Sequence, residues 1–484
     1  MLEILHQPDT IVAVSTPPGR GGIGIVRLSG VGAVAVAGRL VSPTVEGEHG
    51  RARFVRILDP EAAGKTIDEA VVTAFFGPRS YTGEDVVEIA AHGSPVVLEA
   101  LVRRALTVGA EMELPVRLAE PGEFTQRAFL AGRLDLTQAE AVRDLIAART
   151  LDQARVAAQQ MGGAISRRVA PAKEALLHLI ALLEAGMDFA SGELDDVDVV
   201  PAAEIGGAIE GVVTPLSALA ASFRRGQMVR NGVSLALAGP PNAGKSSLFN
   251  RLLDRERAIV TAVPGTTRDT IEESVAVGGI PVRLIDTAGL RDLGLGGALA
   301  EDKENAEVAE ARQRNGVDEA EALGMARSRE ALADADVVLM VHDATQPMTA
   351  EELRLAESLA GRPHLVVQNK ADLLATDAAR AEGILTSAVT GEGIEALREG
   401  ILRVLQAEGA VGDGGALNNL RQQEAVTTAL VALQAATAAN AAGLPHEVIL
   451  MDLHAALRGI DSLTGVTTVE DILARIFSTF CIGK

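Results

Sequence analysis

The segment Gly239-Pro-Pro-Asn-Ala-Gly-Lys-Ser246 has the residue types needed to hold a polyphosphate. Its glycines let the backbone turn tightly, so that successive N–H groups and the start of a helix face anionic oxygens. Lys245 supplies a point charge for the β- and γ-phosphates, and the Ser246 hydroxyl is placed to ligate Mg2+. By itself the pattern also fits an ordinary Gly/Pro-rich turn. Two later segments decide the matter. Asp286-Thr287-Ala288-Gly289 closes an apolar run, where a carboxylate can act through Mg2+-bound water and a glycine N–H can meet a γ-phosphate. Asn369-Lys370-Ala371-Asp372 closes another, and the Asp372 carboxylate can accept hydrogen bonds from guanine N1–H and its 2-amino group. Adenine lacks both donors and would leave that carboxylate unpaired. Ser387-Ala388-Val389 is placed to meet the guanine oxygen through backbone N–H. With Asn242, Ala243, Gly244, Lys245, Ser246 and Ser247 in the first loop, this order of motifs specifies GTP.

Between the first two motifs lies Thr261-Ala262-Val263-Pro264-Gly265-Thr266-Thr267, which reads as a switch segment. Thr267 would bring its hydroxyl to Mg2+ when a γ-phosphate is present. The residue after Gly289 is Leu290, where Ras-type enzymes carry the glutamine that orients the attacking water. Leucine can neither donate nor accept, so hydrolysis needs another positioning group. Asp292 is the nearest carboxylate in sequence and is the candidate catalytic residue.

These loops need strands and helices to hold them. Val233–Ala238, Ser274–Val277, Val282–Ile285, Val337–His342, His364–Gln368 and Gly383–Leu385 read as strands, with Gly278-Gly279 as a hairpin turn. Amphipathic helices fill several of the gaps, the pattern of a doubly wound, mostly parallel sheet. Upstream, Thr10–Val14, Gly24–Leu28, Ala70–Phe76 and Asp85–Ala91 are strand candidates in an α/β domain. Ser94-Pro95 opens a helix through Leu106. The loop Thr16-Pro-Pro-Gly-Arg-Gly-Gly22 could cradle an anion beside Arg20 and Arg27, although many hairpin connections look similar. Helical spacing runs through Gln138–Arg149 and Lys173–Glu184 and returns after Leu417. Glu193–Asp198 reads as a loop and Val411–Gly415 as a Gly-rich break. Two helical stretches therefore flank the GTP motifs, which points to a nucleotide-binding domain inserted into a helical one.

The 484 residues suit about two to four domains. No apolar run reads as long enough to span a bilayer, and the single cysteine, Cys481, rules out an internal disulfide, so a cytoplasmic protein is expected. Cys481 ends an apolar stretch and reads as a small buried hydrophobe. The net charge of −21 argues against a wholly electrostatic nucleic-acid binder. Arg224-Arg225 with Arg230, and Arg167-Arg168, are small basic candidates that read as solvated helix faces.

The chain resembles the tRNA-modifying GTPase family called MnmE or TrmE over nearly its full length. The matching residues are Thr16-Pro-Pro-Gly-Arg-Gly-Gly-Ile-Gly-Ile-Val-Arg27, Tyr81–Glu88, Pro121-Gly-Glu-Phe124, Arg127-Ala-Phe-Leu130, Leu134–Glu140 and the terminal Phe480-Cys-Ile-Gly-Lys484. The resemblance implies a folate-binding and dimerisation domain at 1–133, a helical domain in two parts at 134–230 and 408–484, and a Ras-like GTPase domain at 231–407. It also implies a homodimer that works with a flavin-containing partner of the MnmG/GidA family. Together they install an aminomethyl or carboxymethylaminomethyl group at C5 of the wobble uridine of tRNAs. The carbon would come from a tetrahydrofolate donor (a 5,10-methylene or 5-formyl derivative) held by Arg27, Glu88, Arg133 and Lys484. Arg133 stands where the family often has lysine, which keeps the charge and changes the donor geometry. A potassium ion, held by Asn242 with oxygens from Thr261, Val263 and Thr266, takes the place of an arginine finger. Cys481 falls beside the implied folate pocket.

The sequence departs from the family twice. Asp292 stands where the family has glutamate, one methylene longer. An acidic insert, 293–317, follows it and reads either as a loop or as a short Ala/Glu-rich helix. The alternative function is a ribosome-assembly switch of the Era or Der type. That reading lacks a G-x-x-G loop in a basic setting and leaves the N-terminal domain unexplained.

Overall fold

The computed structural model describes residues 9–45, 49–59, 65–190, 200–253, 273–286, 335–374, 383–406, 415–466 and 470–483. The chain forms two compact units. One comprises Met1–Arg143, Gln160–Val213 and Ala425–Lys484, and the other Asp144–Gln159 and Thr214–Glu424.

The first unit begins with a seven-stranded sheet. Its strands are β1 (Thr10–Val14), β2 (Gly21–Ser29), β3 (Val41–Ser42), β4 (Ala52–Leu58), β5 (Thr66–Phe75), β6 (Val86–Gly93) and β7 (Val116–Leu118). Their order is β3-β4-β5-β6-β2-β1-β7, antiparallel throughout except for the β1–β7 pair. Period-two alternation sends Val26 and Leu28, Val55 and Ile57, Val72 and Ala74, and Val87 and Ile89 to one face. Helices Ala33–Leu40 and Pro95–Glu111 cover that face with Val36, Leu40, Leu98, Leu101 and Val108. The helix beginning at Pro95 has proline at its first turn, as expected, but Ser94 makes no side-chain capping bond and the helix runs on to Glu111. The helix Ala33–Leu40 and the strands β3, β4 and β7 were not among the elements expected from sequence. Ala33–Leu40 consists of Ala, Val and Gly ahead of Arg39-Leu40, and with no acidic first turn and no capping side chain it carries no start signal.

Long helices complete this unit. Ala164–Ala190 and His446–Thr464 run antiparallel, joined by Lys173 Nζ to Asp461 Oδ1 at 2.6 Å and His454 Nε2 to Glu184 Oε1 at 3.0 Å. Glu193–Asp198 and most of Val411–Gly415 lie outside the described residues. One correction concerns membranes. Within the 30-residue stretch Ala202–Asn231 an 18-residue window has a mean hydropathy of 1.3, enough by length and composition to cross a bilayer. Its Ile205, Ile209, Val212, Leu216 and Leu219 are all buried at the spacing of a helix packed along one stripe, and Glu204 and Glu210 interrupt it.

The second unit carries β8 (Val233–Ala238), β9 (Glu273–Val277), β10 (Ile280–Asp286), β11 (Val337–Asp343), β12 (His364–Asn369) and β13 (Ile384–Leu385). Their order is β13-β12-β11-β8-β10-β9, parallel except for β9, whose hairpin with β10 turns at Gly278-Gly279 with φ of 56° and 84°. Leu235, Leu237, Leu339 and Val341 face helices Lys245–Leu253 and Ile394–Gln406. Ala236, Val338 and Met340 face helix Ala350–Ser358. Burial on both faces explains why these strands read as unbroken apolar runs. The fold is thus the expected combination of an N-terminal α/β domain, helices in two stretches and a doubly wound domain.

Candidate functional site

The phosphate loop leaves the carboxyl end of β8, at the centre of the sheet, where open α/β sheets gather their ligands. Asn242 takes a left-handed φ of 65°, so the loop curls back before Lys245 starts its helix. Lys245 is buried, and its Nζ donates to Gly239 O at 3.0 Å and Pro240 O at 2.8 Å. A buried ammonium ringed by loop backbone suits an incoming phosphate. Ser246 and Ser247 are exposed in the first turn of the same helix.

Asn369 draws three motifs together. Its Nδ2 donates to Ala243 O at 3.0 Å, while its Oδ1 accepts from Ala388 N–H at 3.2 Å and from the Thr386 hydroxyl at 3.4 Å. The residue is 1% exposed, so losing any of these bonds would leave a polar group buried without a partner. Asp372 Oδ1 accepts from the Ser387 hydroxyl at 2.5 Å, which orients the carboxylate. Lys370, at a left-handed φ of 65°, reaches back to Asp343 Oδ2 at 2.6 Å. Desolvation pushes the Asp343 carboxyl up, but the Lys370 ammonium and Thr345 together outweigh it and hold the group below its ordinary range. The Ser387 and Ala388 amides, expected to meet guanine, donate to Glu392 O and Asn369 Oδ1.

Two contributors went unnoticed in the sequence. Arg251 Nε donates to Ala388 O at 2.8 Å and its Nη2 to Val389 O, which braces the Ser387-Ala388-Val389 turn. Asp343 closes β11 as the partner of Lys370. Their long-range pairing left no local signal. Asp286 ends β10 in register with Leu237 of β8. Thr261–Thr267, Thr287–Gly289, Asp292 and the 293–317 insert lie outside the described residues.

The first unit holds a second constellation. Arg27 on β2 and Glu88 on β6 are register partners, with Arg27 Nη2 2.7 Å and Nε 2.9 Å from Glu88 Oε1. The guanidinium lies 5.9 Å from the Tyr81 ring centre and 5.5 Å from that of Phe124. The C-terminal segment reaches this spot. Ile482 bridges to Pro121, Gly122 N–H donates to Cys481 O, and Gly483 O accepts from the Ser15 hydroxyl at 3.0 Å and from Arg27 Nη1 at 3.3 Å. Two ends of the chain, 456 residues apart, therefore share one site. Arg133 is exposed beside Gly83, and Lys484 lies outside the described residues. Gly21 and Gly22, read as loop, belong to β2, and Arg20 is exposed. Cys481 is exposed rather than buried, because Phe480 takes the core position against Phe477.

A phosphate cradle after β8 and a guanine-type loop after β12, on a Ras-like strand order, define a GTP-binding domain of the phosphate-loop class. Residues 10–133 match the family model described as the GTP-binding protein TrmE N-terminus, and residues 136–481 match the MnmE helical domain. The tRNA modification GTPase MnmE of Koribacter versatilis is 52% identical over 488 residues, covering 99% of this chain and 100% of the relative. Those of Moorella thermoacetica and Aquifex aeolicus are 39% and 38% identical, with 98% of this chain covered in each case and 99% and 100% of the relatives. The chain belongs to the tRNA modification GTPase MnmE family.

Proposed function

We propose that this chain hydrolyses GTP with potassium stimulation and, as a cytoplasmic homodimer with a flavin-containing partner of the MnmG/GidA family, modifies C5 of the wobble uridine of tRNAs. The carbon comes from a tetrahydrofolate derivative. The observation that carries the nucleotide half is the convergence of three loops on Asn369. The modification half rests on family membership along the whole chain.

In this reading Lys245 turns from the loop carbonyls to the β- and γ-phosphates, and the backbone of 242–247 donates to their oxygens. Ser246 and Thr267 hold Mg2+, and Asn242, Thr261, Val263 and Thr266 hold potassium. When bound, the cations offset charge developing on the transferred phosphoryl group. Asp372 accepts from guanine, and Asp292 positions water in place of the missing glutamine. The Arg27–Glu88 pair fits a pterin, because a guanidinium and a carboxylate side by side match its alternating acceptors and donors. Arg133 and Lys484 would add charge for the folate carboxylates.

The test compares GTP turnover in potassium and sodium chloride at equal ionic strength, with Asn242→Ala alongside. Stimulation that disappears in the variant supports the cation assignment, whereas equal rates in both salts remove it. Nucleoside analysis of tRNA from cells lacking the protein tests the second half. Intact wobble-uridine modification would shift the reading to an assembly switch.

A further inference from the structure

Arg251 stands in the last turn of the helix Lys245–Leu253, whose first turn follows the phosphate loop. Its Nε donates to Ala388 O at 2.8 Å and its Nη2 to Val389 O. One edge of the planar guanidinium therefore spans two successive carbonyls, the nearer of them 137 residues away in sequence. A single helix serves both halves of the site, with the phosphate loop at its start and the base-side turn at its end.

The carbonyls that Arg251 holds fix where the amides of the turn point, because a trans peptide sets each C=O opposite the N–H that follows it. With Val389 O on the Arg251 side, the Thr390 N–H faces away and donates to the Ser387 hydroxyl oxygen at 3.1 Å. That hydroxyl in turn donates to Asp372 Oδ1 at 2.5 Å. Ser387 is fully buried, its N–H on Glu392 O and its carbonyl accepting from Gly391 N–H, so the hydroxyl starts from a fixed position. Asp372 is exposed in the short 3₁₀ turn Ala371–Leu373. Among the described residues, Ser387 is the one hydrogen-bond partner of its carboxylate. The aim of Asp372 thus depends on the turn, and the peptide planes of the turn depend on Arg251.

We infer, on the strength of the guanine-binding reading above, that Arg251 is a positioning residue for guanine selectivity, aiming Asp372 through the Val389 carbonyl, the Thr390 amide and the Ser387 hydroxyl. Hypoxanthine shares N1–H and the ring oxygen with guanine and lacks the 2-amino group. A correctly aimed Asp372 separates the two bases through that one hydrogen bond, and a displaced carboxylate does not. Loss of phosphate contacts or of folding would weaken both nucleotides alike.

The experiment uses the full chain with Mg2+ and titrates GDP, inosine diphosphate and ADP by calorimetry. The wild type is compared with Arg251→Gln, Arg251→Lys, Ser387→Ala and the double variant Arg251→Gln/Ser387→Ala. The wild type should prefer GDP to both other nucleotides. Indifference between GDP and ADP would remove the guanine reading itself, and indifference between GDP and inosine diphosphate alone would remove only the role given to Asp372. Arg251→Gln should shrink the GDP-to-inosine diphosphate affinity ratio by about tenfold, with far-ultraviolet circular dichroism unchanged. Lysine, which can reach one carbonyl, should keep part of the ratio. Ser387→Ala should shrink the same ratio, and the double variant should add little to either single change, because both act on one chain of bonds. If Arg251→Gln does not fold, Arg251→Lys is judged against Ser387→Ala by the same ratio. Equal weakening of GDP and inosine diphosphate, an unchanged ratio, or full additivity in the double variant overturns the inference and leaves the wild-type preference for guanine standing.

Discussion

The side-chain amide of Asn369 donates to the carbonyl oxygen of Ala243 at 3.0 Å, joining loops 126 residues apart in sequence. This bond sets the distance between the part of the site that would hold phosphates and the part that would hold a base.

Asn369→Ala removes that bond together with those to Ala388 and Thr386. Each buried partner left unsatisfied costs about 1–3 kcal/mol. GDP affinity should therefore fall by on the order of 100-fold, measured with fluorescent GDP. A change of less than threefold would show that the loops hold their spacing without it.

Gly244→Ala tests the same junction from the other side. A Cβ there would lie 2.2 Å from Asn369 Nδ2, and the backbone φ of 87° already disfavours any side chain. Nucleotide affinity should drop by at least about tenfold while far-ultraviolet circular dichroism is unchanged, since left-handed strain alone costs roughly 1–2 kcal/mol. Wild-type affinity in the variant would refute the close packing.

Acid sensitivity should arise in the first unit around Glu123. Burial raises its pKa, but Arg117, Glu120 N–H and Arg127 outweigh that and hold the carboxyl below its ordinary 4.5. Because the folded value is depressed, the stabilisation is complete above pH 4.5 and is lost as pH falls through the folded value. The chain has one tyrosine and no tryptophan, so Tyr81 emission reports on this unit alone. Glu123→Gln should destabilise it by about 1–3 kcal/mol at neutral pH, because Arg117 and Arg127 each lose one acceptor while keeping Asp9. It should also flatten the acid limb of a Tyr81-monitored denaturation. An unchanged limb would place the sensitivity elsewhere.

Tyr81 also lies beside Arg27, so 5-formyl-tetrahydrofolate should alter its emission. Arg27→Ala should abolish that response and leave GDP binding intact. Gly483→Ala should weaken it by about tenfold, since its Cβ would meet Val14 O at 2.4 Å and displace the carbonyl that Arg27 holds. A full response in both variants would exclude this pocket.

Much of the second unit was legible because its chemistry is local. Each GTP motif occupies one loop at one strand end, and strands buried on both faces announce themselves as apolar runs. The N-terminal unit was less so. β4 sets Arg53 and Arg56 three apart among apolar residues, which breaks a clean period of two, and Ala33–Leu40 has helical composition without a start signal.

The sequence by itself determined that the GTP motifs follow β8 and β12 and which family the chain joins, since backbone turns and short motifs encode both. Only the tertiary structure decided that Asn369 locks the loops and that Gly483 meets Arg27. Asn369 lies 126 residues from Ala243, and Gly483 lies 456 from Arg27. No local pattern records a contact whose partners meet only after the sheets have formed.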